Sequence, residues 1–236
     1  MLTNSSALVL FSGGQDSTIS LIWACKNFKK VETIGFHYNQ RHVVEMKCRT
    51  NVISRIKKDM ELDKIIGKDH VLDLSVLGSL SESALTKNSD IKILNNGLPN
   101  TFVPARNLVF LTMSASLAYK RNISNIVGGM CETDYSGYPD CRQSTINAQQ
   151  EAISLGLDRD IIIHTPLMHM SKSKSWHFAN QIGGQLLTEI IIKETHTCYL
   201  GERNILYEWG YGCSECPACE LRKKGFSEWK KNYGNI

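Results

Sequence analysis

The sequence predicts an α/β protein: a doubly wound, mainly parallel sheet followed by a cysteine-rich C-terminal appendage. Three observations predict it. Short apolar runs alternate with helix-spaced stretches, glycine or polar turns separate them, and four of the eight cysteines crowd into the tail. With 236 residues, 42% of them hydrophobic and 21% charged, the chain can bury a sizeable core. The expected division is an α/β domain over residues 1–195 and the appendage over 196–236.

Residues 7–11 (ALVLF) form an apolar run stopped by Ser12, Gly13 and Gly14, the pattern of a buried strand ending in a turn. Asp16 or Ser17 is placed to cap the helix expected over 17–27. A β-rich run over 31–37 precedes a helix over 43–60, where Val44, Cys48, Val52, Ile53, Ile56 and Met60 recur at helical spacing. A strand over 71–74 leads into a polar, irregular stretch over 79–100. The alternation resumes with a helix over 106–120, a strand over 123–128, a helix over 142–155 and a strand over 161–164. Repeated strand–helix units call for a parallel sheet covered on both faces, with ligands beyond the carboxyl ends of the strands. The loops after Phe11, His37, Gly128 and His164 are therefore the places for a site.

Lys and Arg number 27 against 23 Asp and Glu, a formal +4. Five of the basic residues (Arg222, Lys223, Lys224, Lys230 and Lys231) fall near the C-terminus, so the body is close to neutral. That argues against nonspecific binding to a phosphate backbone. No stretch reaches the roughly 18–20 consecutive apolar residues of a membrane span, and the first residues show no basic leader or cleavage pattern. A cytoplasmic protein with no direct nucleic-acid or membrane partner is expected. In that compartment clustered cysteines are metal ligands rather than disulfides.

The segment Ser12-Gly13-Gly14-Gln15-Asp16-Ser17 lies between the first strand and the first helix. There, glycines let backbone N–H groups approach an anion and the helix N-terminus favours negative charge. No Lys follows the glycines as in G-x-x-x-x-G-K-[ST], and the spacing is not G-x-G-x-x-G. A tight strand-to-helix turn that holds nothing remains open on these residues alone. The full string resembles the pyrophosphate-binding loop of the ATP pyrophosphatase (PP-loop) superfamily. That resemblance implies an adenine nucleotide alpha hydrolase-like, Rossmann-like fold and ATP bound along Leu8, Val9, Leu10, Phe11, Ser12, Gly13, Gly14, Gln15, Asp16, Ser17 and Thr18, with Mg²⁺ bridging the phosphates.

Cys213, Cys216 and Cys219 recur every third residue, and Cys198 stands upstream across the intervening residues 199–212. Four thiolates suit one tetrahedral Zn²⁺ and close its coordination, which makes such a site structural. A redox dithiol fits a third in-register cysteine poorly, whereas an iron–sulfur cluster remains the rival. Cys25 and Cys48 fall on apolar helix faces and read as core.

After Gly128 comes a loop carrying Glu132, Asp134, Tyr135, Tyr138, Asp140 and Arg142. Tyrosines stack on a flat heterocycle and carboxylates accept hydrogen bonds from an amidine edge such as guanine's. An ordinary Gly/Pro turn with exposed polar residues is the bland alternative.

These segments occur in one order with Tyr38-Asn39-Gln40-Arg41-His42, Thr101-Phe102-Val103-Pro104-Ala105-Arg106-Asn107, Thr165-Pro166-Leu167-Met168 and the four cysteines. The ordered set, over about 7–226, closely resembles the 7-cyano-7-deazaguanine synthase family of the queuosine pathway. The resemblance implies ATP-dependent conversion of 7-carboxy-7-deazaguanine and ammonia to a nitrile, through carboxylate activation, amidation, and activation and dehydration of the amide. It implies Arg106, Lys172 and Arg142 as catalytic candidates. Glu132, Asp134, Tyr135, Tyr138 and Asp140 would contact the substrate, and Cys198, Cys213, Cys216 and Cys219 would hold zinc. A homodimer is the expected assembly.

Four features depart from the family pattern. Asn39 and Ala105 replace glycines, which predicts local backbone adjustment; Ser171 and Lys174 stand where acidic residues are common; and the segment 199–212 is long enough to protrude. Two other functions compete. One is another adenylating PP-loop enzyme, such as a tRNA-modifying ligase or sulfur transferase, but the near-neutral body supplies no basic RNA-binding domain. The other is a non-enzymatic zinc protein that binds RNA through its basic tail, which leaves the glycine loop unexplained.

Overall fold

The computed structural model describes residues 2–39, 44–86, 90–92, 95, 98–133 and 137–234. Strand β1 (Leu2–Leu10) lies at the centre of a five-stranded sheet of order β3-β2-β1-β4-β5. Its partners β2 (Phe28–His37), β3 (Ile66–Asp73), β4 (Asn125–Val127) and β5 (Ile162–His164) all pair in parallel, as the alternation predicts. The connecting helices are α1 (Gln15–Asn27), α2 (Val44–Asp59), a short α3 (Ser75–Ser79), α4 (Arg106–Lys120) and α5 (Gln143–Leu157). After β5 follow α6 (Lys172–Glu194), the hairpin β6 (Leu206–Tyr207) and β7 (Gly210–Tyr211), and α7 (Pro217–Tyr233).

The unbroken apolar run of β1 serves two cores. Ala7, Val9 and Phe11 pack with Ile19, Val52, Trp176 and Phe226 on one face. Leu8 and Leu10 pack with Phe36, Leu111, Ile126 and Ile146 on the other. Successive side chains of a strand point to opposite faces, so a strand covered on both sides has no position for a polar residue. That is why 7–11 reads as continuous rather than alternating. The strand itself starts earlier, at Leu2, which pairs with Phe28 ahead of a bulge before Ser6. Phe11 has left it, although its N–H still donates to the Ile34 carbonyl at 2.8 Å.

Helix α1 begins at Gln15 with Gly14 as its N-cap and no side-chain cap. The expected cap by Asp16 or Ser17 does not form, because both residues already lie in the first turn. Ser17 Oγ and Thr18 Oγ1 instead donate back to the Gly14 carbonyl, at 3.1 and 2.8 Å. Helix α6 is the element that the alternation does not foresee. Gly183 and Gly184 interrupt its pattern, and Gly184 takes φ 63° and ψ −163°, joining two helical pieces at a kink.

Two buried arginines lock the layers. Arg49 of α2, 1% exposed, pairs with Asp69 of β3 and donates to the carbonyls of Phe11 (3.0 Å) and His70 (3.1 Å). Gly35 makes room for it, since a Cβ there would overlap the guanidinium. Arg222 of α7 reaches the carbonyls of Trp209 and Ile191 (2.8 Å each) and the hydroxyls of Thr195 and Thr197 (3.0 and 2.7 Å). It is thus interior, unlike the exposed Lys223, Lys224, Lys230 and Lys231 with which the sequence groups it. Segment 199–212 does not stand out as a free loop: its hairpin folds back and Trp209 is buried, while Leu200, Glu202, Asn204, Ile205, Leu206 and Glu208 are exposed.

Asn39 and Ala105 both adopt left-handed backbone, φ 57° and 59°. The expected adjustment is absent; the chain keeps the glycine conformation with a side chain in it. For Ala this costs about 1 kcal/mol. Ala105→Gly should therefore raise stability by about 0.5 kcal/mol after the greater unfolded-state freedom of glycine is subtracted, seen as a small rise in denaturation midpoint. Arg49→Met should act the other way, by about 3 kcal/mol, lowering Tm in a thermal melt by roughly 6–12 °C.

Candidate active site and metal centre

The carboxyl ends of β1, β2 and β4 open into a cavity of about 690 Å³. Its floor is the glycine loop, with Ser12, Gly14, Gln15, Asp16 and Ser17 in the lining. Gly13 has φ 87°, and a Cβ there would lie 2.7 Å from the Arg49 backbone nitrogen. Only glycine permits both the turn and that approach. Ser12 Oγ accepts from the Gly14 N–H at 3.3 Å and lies 3.2 Å from Ser17 Oγ. The uncapped first turn of α1 leaves N–H groups and the positive end of the helix for an anion.

Lys172, the first residue of α6, reaches Asp16 Oδ2 at 2.9 Å, so α6 brings a cation to the loop. Asp16 Oδ1 and Gln15 Nε2 are buried without a hydrogen-bond partner among the described residues. A loop with one orphan acceptor and one orphan donor beside a lysine is fitted for a metal-bound polyphosphate.

Another wall is aromatic. Phe36 and Phe110 stack with centroids 4.3 Å apart, and Tyr38 meets Phe110 edge-on at 5.6 Å. Arg106, at the start of α4, lies 6.0 Å from the Tyr38 ring centroid and 5.9 Å from that of Tyr138. The Tyr138 hydroxyl is 2.7 Å from Thr101 Oγ1. Such a wall takes a planar ring.

Not every expected site residue reaches the cavity. Leu8 and Val9 are fully buried in β1, and neither they, Gly13 nor Thr18 contribute to the lining, whereas Leu10 and Phe11 do. Asp140 Oδ2 accepts from the Asn107 N–H at 3.0 Å and so caps α4 from a distance. Glu132 Oε2 accepts from the Gln143 N–H at 3.1 Å, doing the same for α5. Both carboxylates thus serve helix N-termini, and neither lines the cavity. Arg142 is exposed outside it as the N-cap residue of α5. Asp134 and Tyr135, like Gln40, Arg41 and His42, lie outside the described residues. Conversely, Glu45, His196, Thr197, Tyr199 and Arg222 line the cavity without having been singled out. Residues 195–197, between the end of α6 and Cys198, carry the tail past the glycine loop, where the His196 N–H donates to the Gly13 carbonyl at 3.3 Å.

Beside this wall the sulfurs of Cys198, Cys213, Cys216 and Cys219 lie within 4.8 Å of one another. The Cys213–Cys219 separation is 3.9 Å, and four thiolates about 2.3 Å from one tetrahedral ion stand roughly 3.8 Å apart. Backbone N–H groups of Glu215 and Cys216 point at Cys213 Sγ, at 3.4 and 3.2 Å. Hydrogen bonds from Cys216 and Cys219 hold the Cys198 thiol well below the ordinary range, and the same contacts push Cys219 up. The cluster can bind a metal.

The sequence model described as Queuosine biosynthesis protein QueC matches residues 6–230. The chain belongs to the QueC family. It is 53% identical to the 7-cyano-7-deazaguanine synthase of Zymomonas mobilis over 232 residues, 98% of this chain and 91% of that one. It is 54% identical to the synthase of Paraburkholderia phymatum over 226 residues, 95% and 93% of the two chains. Among solved structures, a 4-thiouridine synthetase–RNA complex with bound ATP aligns at TM-score 0.50 and 17% identity, over 78% of this chain and 42% of that one. This QueC chain shares the fold of the aligned part of that protein.

The cysteine cluster gives a direct test. Cys216, Cys219, Trp209 and Trp229 belong to the same core. Cys219→Ser should lose most bound metal by elemental analysis and shift tryptophan emission to the red. Retention of one metal per chain with unchanged emission would exclude the cluster as a metal centre.

Proposed function

We propose that this QueC-family chain is an ATP-dependent carbon–nitrogen ligase that converts 7-carboxy-7-deazaguanine and ammonia to 7-cyano-7-deazaguanine in queuosine biosynthesis. The observation that carries the reading is one cavity with an uncapped glycine loop and the Asp16–Lys172 pair at its floor and an aromatic wall beside them. Membership of the family and the names of the relatives support it.

Ser12, Gly13, Gly14, Gln15, Asp16 and Ser17 cradle the phosphates, with Lys172 and Arg106 placed against developing negative charge. The orphan Asp16 Oδ1 is the ligand position for Mg²⁺, which when bound neutralises phosphate charge. Tyr138, with Asp134 and Tyr135 of the neighbouring loop, takes the flat base. The substrate carboxylate attacks the α-phosphorus and pyrophosphate leaves, giving an adenylate, because a carboxylate oxygen is otherwise a poor leaving group; ammonia then displaces AMP with loss of a proton. The resulting amide oxygen attacks a second ATP in the same way, again releasing pyrophosphate, and the activated amide loses AMP and a proton to give the nitrile. Arg142, Glu132 and Asp140 are assigned no step, since their side chains are exposed or committed to helix ends.

The metal is zinc, held by four thiolates that leave no open position, so its role is to fasten residues 196–236. Cys131 is no nucleophile in this scheme: its thiol donates to the Met170 carbonyl at 3.2 Å. The enzyme acts on the free base in the cytoplasm as a homodimer and does not bind RNA directly; the lysines of α7 form a solvated face.

Incubation of the purified protein with ATP, ammonium and 7-carboxy-7-deazaguanine should yield the nitrile by mass spectrometry, and formation of neither amide nor nitrile would overturn the reading. Metal analysis of the same sample should find zinc rather than iron. Lys172→Met should lower kcat by about 10²–10³-fold with metal content unchanged; activity within twofold of wild type would remove Lys172 from the machinery.

A further inference from the structure

Turning a carboxylate and ammonia into a nitrile requires protons to leave nitrogen, and the residues assigned so far bind phosphate or hold charge. None of them accepts a proton. Among the described residues two carboxyl groups line the cavity, Asp16 and Glu45. Asp16 is committed to Lys172. The other polar groups of the walls are poor acceptors. Burial holds the phenols of Tyr38 and Tyr199 protonated, and it also weakens His196 as a base, whose Nε2–H donates to the Cys198 carbonyl at 2.9 Å.

Glu45 is different. It sits in the first turn of α2, half-buried, in the same wall as Phe36, Tyr38 and Met46. It makes no hydrogen bond or ion pair with any described residue. Removal from water pushes its carboxyl up to about 7, with the Arg106 charge pulling it back. The titratable groups that interact with it are Arg106 from α4, Tyr38 beyond the end of β2 and Cys48 one turn along α2. Arg49, one turn further along α2, is occupied by Asp69, and Arg41 and His42 before it lie outside the described residues. A carboxyl with no ion-pair partner among the described residues, in a wall with aromatic neighbours, is suited to exchange a proton near neutral pH.

We propose that Glu45 is the general base of the amination step, an assignment that rests on the synthase reading above. Ammonia's lone pair forms the C–N bond to the activated carboxyl carbon. The C–O bond to the nucleotide phosphate breaks with its electron pair, and one N–H proton of the adduct passes to a Glu45 carboxylate oxygen. The products are the amide, AMP and protonated Glu45, which returns its proton to solvent.

The test separates activation from amination. Substrate-dependent pyrophosphate release is measured without ammonium, and amide plus nitrile formation is measured in single turnovers at a fixed concentration of free ammonia. In the wild type, amination should rise about tenfold per pH unit below about 7 and level above it, while pyrophosphate release stays flat. Glu45→Gln should lose that limb and slow amination by about 10²–10³-fold. Its pyrophosphate release and its KM for the deazaguanine should stay within about twofold of wild type, and Glu45→Asp should recover part of the rate. A Glu45→Gln variant that raises this KM but aminates normally once saturated would overturn the proposal and make Glu45 a base-recognition residue. A wild-type amination rate independent of pH at fixed free ammonia would overturn it without any variant. Wild-type protein that forms neither amide nor nitrile is a separate failure, that of the synthase reading itself.

Discussion

Everything at the site depends on backbone packing against backbone around one turn. The loop after β1 is approached from three sides. Gly13 lies against the backbone of Arg49, Gly14 against the His196 carbonyl, and Gly129 against the backbone at Asp16 and Ser17. A side chain at any of the three would need the neighbour to move. The bare loop is thus held in place by α2, by the loop after β4 and by the tail, three segments far apart in sequence. The first turn of α1 carries no side-chain cap, which leaves its N–H groups for an anion.

The tail is accordingly part of the site as well as its neighbour. Residues 195–199 pass from the end of α6 to the first cysteine and along the way contribute His196, Thr197 and Tyr199 to the cavity wall. Arg222 joins the same stretch to α7 and the hairpin with four hydrogen bonds and no carboxylate partner among the described residues. A buried cation satisfied only by carbonyls and hydroxyls keeps its charge uncompensated locally, and burial lowers it to about 10. Its charge is felt by Cys219 on one side and Asp16 on the other, so the cysteine cluster and the glycine loop have a cation between them.

The sheet, its order of units and the ends of most helices were legible because the signal is periodic. Continuous apolar runs such as 7–11 can only be strands covered twice, and the cysteine spacing has few other uses. What was not legible is explained by residues whose job is visible only in three dimensions. Gly183 and Gly184 mask α6, since the kink they allow reads locally as a break. Asp140 and Glu132 carry the residue type expected of base recognition, yet each is spent on the N-terminus of a helix, Asp140 on α4 and Glu132 on α5. Glu45 looks like any polar residue on the exposed side of an amphipathic helix, and only the fold turns it toward the aromatic wall. Ala105 and Asn39 show the converse: their departure from glycine is plain in sequence, but their left-handed backbone is not.

The membership of the first core has a consequence for how the protein is made. Ala7, Val9 and Phe11 share it with Phe226 and Trp229. Contacts that span nearly the whole chain must wait for loop closure and are slow to form. During synthesis the central strand therefore emerges with one face lacking its final cover, and that face stays open until α7 has cleared the ribosome. Until α7 docks, part of this core's apolar surface is exposed, which is a period of vulnerability to aggregation.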